Sequence, residues 1–264
     1  MSRFYVPGDS VKGNEISVTG KEAHHILNVM RLKVSDSVVV FDGTGNEYTG
    51  VVKEAGHRSL SIEIVRTRKA PRVETHRITL IQAIPKKEKM DYIVEKATEL
   101  GVSAIIPVTT ARTIPDWNEE KRSSIVERWK KISQAAAKQC GRVDVPVVSP
   151  IMLFRDCLPA GQAGFGPSGL AMTKREEPAM TDSDRGLKLM AALSDKAISL
   201  KEVLKSSRPQ EVVVAVGPEG DFTPEEIDAA VKAGFKIVTL GPRVLKSDTA
   251  GLAVLSMINY EYED

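Results

Sequence analysis

Cysteine is almost missing from this 264-residue chain: only Cys140 and Cys157 occur, and neither belongs to a paired metal-ligand or redox spacing. Free thiols are expected. Histidine is scarce as well, with four in all, and the neighbours His24 and His25 find no further ligands at a familiar spacing. No metal is expected, and packing or capping is the plainer use of those two rings. No stretch approaches the roughly 20 apolar residues that span a bilayer, and the start MSRFYVPGDS lacks the apolar core of a signal peptide. A cytoplasmic protein with no membrane partner is expected. The glycine turn at 217–220, which follows a strand-like run, lacks the G-x-G-x-x-G spacing of dinucleotide sites, which speaks against a nucleotide-dependent oxidoreductase.

What is present is the balance of a globular chain, 42% hydrophobic and 27% charged, long enough for a small domain joined to a larger one. The net charge of +2 hides an uneven distribution: residues 1–72 hold 11 Lys and Arg against 8 Asp and Glu, and the remainder 26 against 27. Arg66, Arg68, Lys69 and Arg72 crowd the end of the first part. Such a cluster suits phosphate, although a solvated linker is the plainer reading.

Periodicity divides the chain in two. Up to about residue 65 it is short and strand-like, with runs at 37–41, 48–52 and 60–65 separated by turn residues, and one short helix expected at 21–30. The run DGTGN at 42–46 accepts positive φ and reads as a hairpin connection. A compact β-barrel is expected. KAPRV at 69–73 breaks the pattern as a linker. Beyond it, strands at 78–84, 104–108, 187–193, 212–216 and 236–240 alternate with helices, one at 87–100 and another carrying Ile125, Trp129, Ile132 and Ala136. That alternation predicts an α/β domain with a mainly parallel sheet. Domains at 1–72 and 73–264 are expected. The glycine- and proline-rich stretch 159–168 reads as an exposed loop, a tolerated insertion or a lid.

Two turns carry the chemistry. After the strand at 212–216 comes GPEGDF (217–222), and Thr223, Pro224 and Glu226 then mark a helix start with a capping box. A second unit follows: the strand at 236–240, then Gly241 and Pro242, then RVLKSDTA (243–250) leading into an apolar helix with Ser247 or Asp248 as its cap. A tight turn at the carboxyl end of a parallel strand is where α/β sheets bind ligands. Local physics serves a ligand site and a purely structural turn equally, but two adjacent strand ends of this kind suit the adenine and ribose of a nucleoside cofactor.

The paired segments GPEGDF and LGPRVLKSDTA (240–250) resemble the C-terminal signature of the bacterial 16S ribosomal RNA uracil-N3 methyltransferases of the SPOUT superfamily. Blocks at 24–31, 41–45, 89–101, 111–113 and 128–142 are similar to the same family, in one order along nearly the whole chain. The resemblance implies a trefoil-knotted α/β domain behind a PUA-like β-barrel, a homodimer, and methyl transfer from S-adenosylmethionine to N3 of a uridine in 16S ribosomal RNA or the small subunit. It implies cofactor contacts at Leu193, Gly217, Pro218, Glu219, Gly220, Leu240, Gly241, Val244, Leu245, Ser247, Thr249 and Ala250. Glu219 is implied as proton acceptor, with Arg112 and Arg243 as catalytic cations. Arg31, Lys96, Arg112, Gln139 and Arg142 are implied RNA contacts, though Lys96 and Glu99 also read as an ordinary helix-surface pair. The family has glycine where Ser35 and Asp221 stand, arginine at Lys246 and glutamate at Asp248. The rival readings are a non-catalytic RNA-binding assembly factor and a SPOUT enzyme that methylates another position, such as the ribose 2'-oxygen.

Overall fold

The computed structural model describes residues 3–69, 76–114, 117–158 and 186–262. Arg72, linker residues 70–73 and the loop expected at 159–168 lie outside the described residues. The chain forms two compact units, Met1–Val73 with Gln134–Val145, and Glu74–Ser133 with Pro146–Asp264.

The first unit holds β1 (Arg3–Tyr5), β2 (Val11–Lys12), β3 (Glu15–Thr19), α1 (Gly20–His24), β4 (Ser37–Phe41), β5 (Asn46–Ala55) and β6 (Ser59–Lys69). They make one sheet in the order β1-β4-β5-β6-β3-β2, antiparallel except for the β1–β4 pair. The expected barrel thus takes the form of a six-stranded sheet whose outer strands β1 and β2 do not pair with each other. Alternate residues of β3 and β6, among them Ile16, Val18, Leu60 and Ile62, fill one core with Val38, Val40 and Phe4, as period-two patterning requires. The helix expected at 21–30 is α1 followed by a π turn at His25–Val29, and it ends at Arg31 with φ 58°.

Three features of this unit were outside the sequence reading. The hairpin after β4 is organised by Asp42, and Gly43 and Thr44 bridge to Asp144 while Gly45 N–H donates to the Val143 carbonyl at 3.2 Å, which seats the returning segment 134–145 here. That return is long-range and has no local signature. Arg66, Arg68 and Lys69 belong to β6, paired with Thr49, Glu47 and Asn46, so the linker reading of these three is corrected: they are exposed side chains on a strand.

The second unit contains β7 (Arg77–Ala83), α2 (Lys89–Glu99), β8 (Ala104–Thr109), most of α3 (Glu119–Cys140), β9 (Val147–Val148), β10 (Met152–Leu153), β11 (Leu187–Ala191), β12 (Ile198–Ser199), α4 (Leu200–Lys205), β13 (Glu211–Val216), α5 (Pro224–Lys232), β14 (Lys236–Thr239) and α6 (Ser247–Tyr262). Its sheet runs β10-β8-β7-β13-β11-β14-β12, with β9 also on β8, and every pair is parallel. The strands read as unbroken apolar runs because both faces are covered. In β13, Val212, Val214 and Val216 face a core shared with Ile93 of α2 and Leu255 of α6, while Val213 and Ala215 face Ala230 of α5 and Phe154. Among the described residues no helix is long and apolar enough to cross a membrane.

This order changes one sequence expectation. β13 and β14, the strands that end in the two Gly-Pro turns, are not neighbours: β11 lies between them, pairing Ala191 with Val216 on one side and with Val238 on the other. Three strand ends therefore converge.

Candidate active site

A cavity of about 360 Å³ opens at the carboxyl ends of β13, β11 and β14, within the size range of small-molecule sites. Its walls are the loop after β11, the Gly217 turn and the stretch from Leu240 to Ala250. Apolar side chains supply most of the lining, with backbone groups from the turns between them.

A buried polar relay fixes the turn. Gln82, fully buried at the end of β7, donates through Nε2 to Ser247 Oγ at 3.1 Å, and Ser247 Oγ donates to the Gly217 carbonyl at 2.6 Å. Ser247 is thereby drawn away from the expected capping role: the first turn of α6 closes on the Lys246 carbonyl, which accepts from the Thr249 and Ala250 N–H groups. Gly251 makes room for the relay, since a Cβ there would stand 2.8 Å from Gln82 Oε1. The helix after the turn starts as expected: Thr223 Oγ1 accepts from Glu226 N–H at 3.3 Å, and Glu226 Oε2 accepts from Thr223 N–H at 2.9 Å. Glu226 Oε1 also accepts from Ala111 N–H at 2.8 Å, tying the loop after β8 to this one.

The expected cofactor residues divide. Leu193, Gly217, Pro218, Glu219, Leu240, Gly241, Val244, Leu245, Ser247 and Ala250 line the cavity, whereas Gly220 and Thr249 do not. Gly220 packs against Arg112, whose Nη1 donates to the Gly220 carbonyl at 2.6 Å and weakly to that of Phe222 at 3.4 Å. Arg243 lines the cavity and its side chain is exposed. Glu219 accepts from Lys86 N–H at 3.2 and 3.3 Å and from the Lys89 ammonium at 3.3 Å; the same ammonium stands 3.8 Å from Asp248.

None of the expected RNA contacts lines the cavity. On α2, Lys96 is bound by Glu95 and Glu99 at 2.8 Å each, and these hydrogen bonds, Glu95 first, push its ammonium above its ordinary range. Arg31 and Gln139 are exposed on the first unit, where Arg142 pairs with Asp144 at 2.6 Å. No group of His, Cys, Asp and Glu among the described residues is placed to hold a metal ion.

Sequence reasoning missed Asp221 as a wall of the cavity. Its φ is 59°, its Oδ2 accepts from Leu193 N–H at 2.7 Å and its Oδ1 from Phe222 N–H at 2.9 Å. Ser35, the other position where glycine is usual in the resembled family, also has positive φ, 75°. Both departures sit where the backbone asks for glycine, and Asp bears it better than most residues. Ala191, Ala192 and Thr239 also line the cavity, brought there by the pairing of β11 with β13 and β14, as does Lys246 just before α6.

A family model of the RNA methyltransferase domain matches residues 72–259. The chain belongs to this RNA methyltransferase family. Residues 18–65 match the RNA methyltransferase PUA domain, so the first unit is the PUA-like part of a methyltransferase and the second its α/β part. The Ribosomal RNA small subunit methyltransferase E of Bacillus subtilis is 29% identical over 250 residues, covering 94% of this chain and 90% of its own. Its namesake from Neisseria gonorrhoeae, solved bound to S-adenosyl methionine, is 30% identical with a TM-score of 0.79, covering 98% of this chain and 97% of its own. A Legionella pneumophila chain solved with the bound cofactor SAM superposes with a TM-score of 0.81 at 25% identity, covering 99% of this methyltransferase and 98% of its own chain.

Proposed function

We propose that this methyltransferase moves a methyl group from S-adenosylmethionine to N3 of one uridine in the 16S ribosomal RNA of the small subunit, working in the cytoplasm. The observation that carries the reading is the cavity at three converging strand ends, walled by the residues that the resemblance assigns to the cofactor. The donors present fit that molecule. Leu193, Leu240, Val244, Leu245 and Ala250 offer apolar surface for a flat base, the Gly217 and Gly241 turns offer backbone groups for hydroxyls, and Asp221 offers an anion to a cation.

When bound, the sulfonium cofactor supplies an activated methyl group. The chain's own residues then do the positioning, which is where most of the rate enhancement of such an in-line transfer lies. Gln82 and Ser247 lock the Gly217 carbonyl, and Arg112 locks the other end of the turn at Gly220 and Phe222. Arg112 is therefore assigned to the turn, and Arg243 to the uracil as the cation that favours its anionic form. Glu219, oriented by Lys86 N–H and Lys89, is assigned as acceptor of the N3 proton. Arg31 and Gln139, exposed on the PUA-like unit, together with Arg66, Arg68 and Lys69, are assigned to RNA, whereas Lys96 and Arg142 serve their own carboxylate pairs.

The same reading gives the chain a trefoil knot and makes it a homodimer. After β14, on the far side of β11, the chain returns as α6 across β13 to β7 and α2, the kind of recrossing a knot requires. On α6, Met257 and Tyr260 are 39% and 88% exposed, apolar surface of the sort that a second copy covers. Titration calorimetry of the purified chain tests the core of the reading: S-adenosylmethionine binds one site per chain. Absence of binding, both alone and with RNA present, contradicts it and leaves a non-catalytic RNA-binding factor.

A further inference from the structure

We infer that the Asp221 carboxylate is the cavity's receptor for the positively charged, methionine end of the cofactor, an inference that rests on the methyltransferase reading above. Asp221 holds an unusual position. It is one of four non-glycine residues with positive φ among the described residues, and it alone of the four lines the cavity. Backbone strain kept at the wall of a ligand site points to a use for the side chain that demands it.

The charge balance around the cavity points the same way. Two carboxylates line it among the described residues, Glu219 and Asp221. Glu219 and Asp248 share the Lys89 ammonium at 3.3 and 3.8 Å, so their charge is answered within the chain. Asp221 has no ion pair among the described residues, and Arg243 and Lys246, although they line the same cavity, make none with it. Its carboxylate accepts from two backbone N–H groups, those of Leu193 and Phe222. These hold the carboxylate in place, with Oδ1 3.0 Å from where a Cβ on Gly217 would lie, but they bring no positive charge. A half-buried anion without a counter-ion is costly in a partly desolvated site, and a bound cation relieves that cost. S-adenosylmethionine brings a sulfonium and an ammonium at its methionine end against one carboxylate, so that end is net positive. The adenosine end brings none.

A purely structural reading is also available, in which Asp221 only clasps the loop after β11 to the loop after β13. The substitution Asp221→Asn separates the two. Asparagine tolerates positive φ and keeps an oxygen for Leu193 N–H, but carries no charge. The full chain and the D221N variant are titrated calorimetrically with S-adenosylmethionine, S-adenosylhomocysteine and 5'-methylthioadenosine, the last being uncharged and without the amino-acid part. The expected result is that D221N weakens S-adenosylmethionine binding about tenfold, as for loss of a charge-assisted contact, and leaves 5'-methylthioadenosine within about twofold. An equal loss for S-adenosylhomocysteine assigns the contact to the ammonium, and a smaller loss assigns it to the sulfonium; both uphold the inference. Equal weakening of S-adenosylmethionine and 5'-methylthioadenosine, or no weakening of either, overturns it and returns Asp221 to the clasp. Failure of the unsubstituted chain to bind S-adenosylmethionine overturns the methyltransferase reading and this inference together.

Discussion

Asp42 concentrates five hydrogen bonds on one side chain, from Thr44 N–H and hydroxyl, Asn46 N–H and side-chain amide, and the Tyr48 hydroxyl, while the residue is only 5% exposed. Burial pushes its carboxyl up, but the bonds from Asn46 and Thr44 together outweigh burial and hold it below its ordinary value. The folded state therefore takes up this proton less readily than the unfolded chain. The stability it contributes is present above the unfolded carboxyl range, near pH 4, and drains away as pH falls further. Asp42→Asn is expected to cost about 2 kcal/mol at neutral pH and to flatten the acid limb of the melting temperature between pH 5 and pH 3, read by calorimetry. An acid limb identical to that of the unsubstituted chain refutes this. The thiols make a second pair of expectations. Burial, and after it Asp156, pushes the Cys157 thiol up to about 12, whereas Cys140 is exposed. A maleimide reagent at pH 7 is expected to label Cys140 in the folded chain and Cys157 only after unfolding, as peptide mass spectrometry reads it.

The strands and helices were the most legible level of the sequence. The apolar runs at 78–84, 104–108 and 212–216 coincide with β7, β8 and β13 because a parallel sheet covered on both faces needs unbroken apolar strands. The capping box at Thr223 was equally open, since its chemistry is complete within four residues. What local pattern does not carry is who stands beside whom. Nothing in the sequence places β11 between β13 and β14, and so Asp221 could not be seen to reach Leu193 across 28 positions. The relay from Gln82 through Ser247 to Gly217 was hidden for the same reason, as its members come from β7, α6 and the turn after β13. Gly251→Ala probes that relay. The added Cβ meets Gln82 Oε1 at 2.8 Å, so crowding of about 1–3 kcal/mol outweighs the better helix propensity of alanine. The melting temperature is expected to fall and cofactor affinity with it, although residue 251 does not line the cavity. Unchanged affinity would detach the relay from the site.

For the molecule as a whole, surface charge and apolar surface make separate predictions. Charge reversal at Arg66, Arg68 and Lys69 of the PUA-like unit is expected to weaken RNA binding and to reduce the log–log salt slope by about 2, if these residues meet phosphate. Unchanged slope and affinity assign them to solvent. Light scattering on the eluting protein is expected to give twice the 28.8 kDa chain mass, and Tyr260→Glu on the exposed face of α6 to shift it towards the single chain. The reaction itself is open to a direct assay. Small ribosomal subunits from cells lacking this protein are incubated with the purified chain and S-adenosylmethionine, and the 16S RNA is digested and mapped by mass spectrometry. One methyl group per subunit, on N3 of a single uridine, is the predicted outcome; no methyl transfer, or a methyl on a ribose oxygen, contradicts the account.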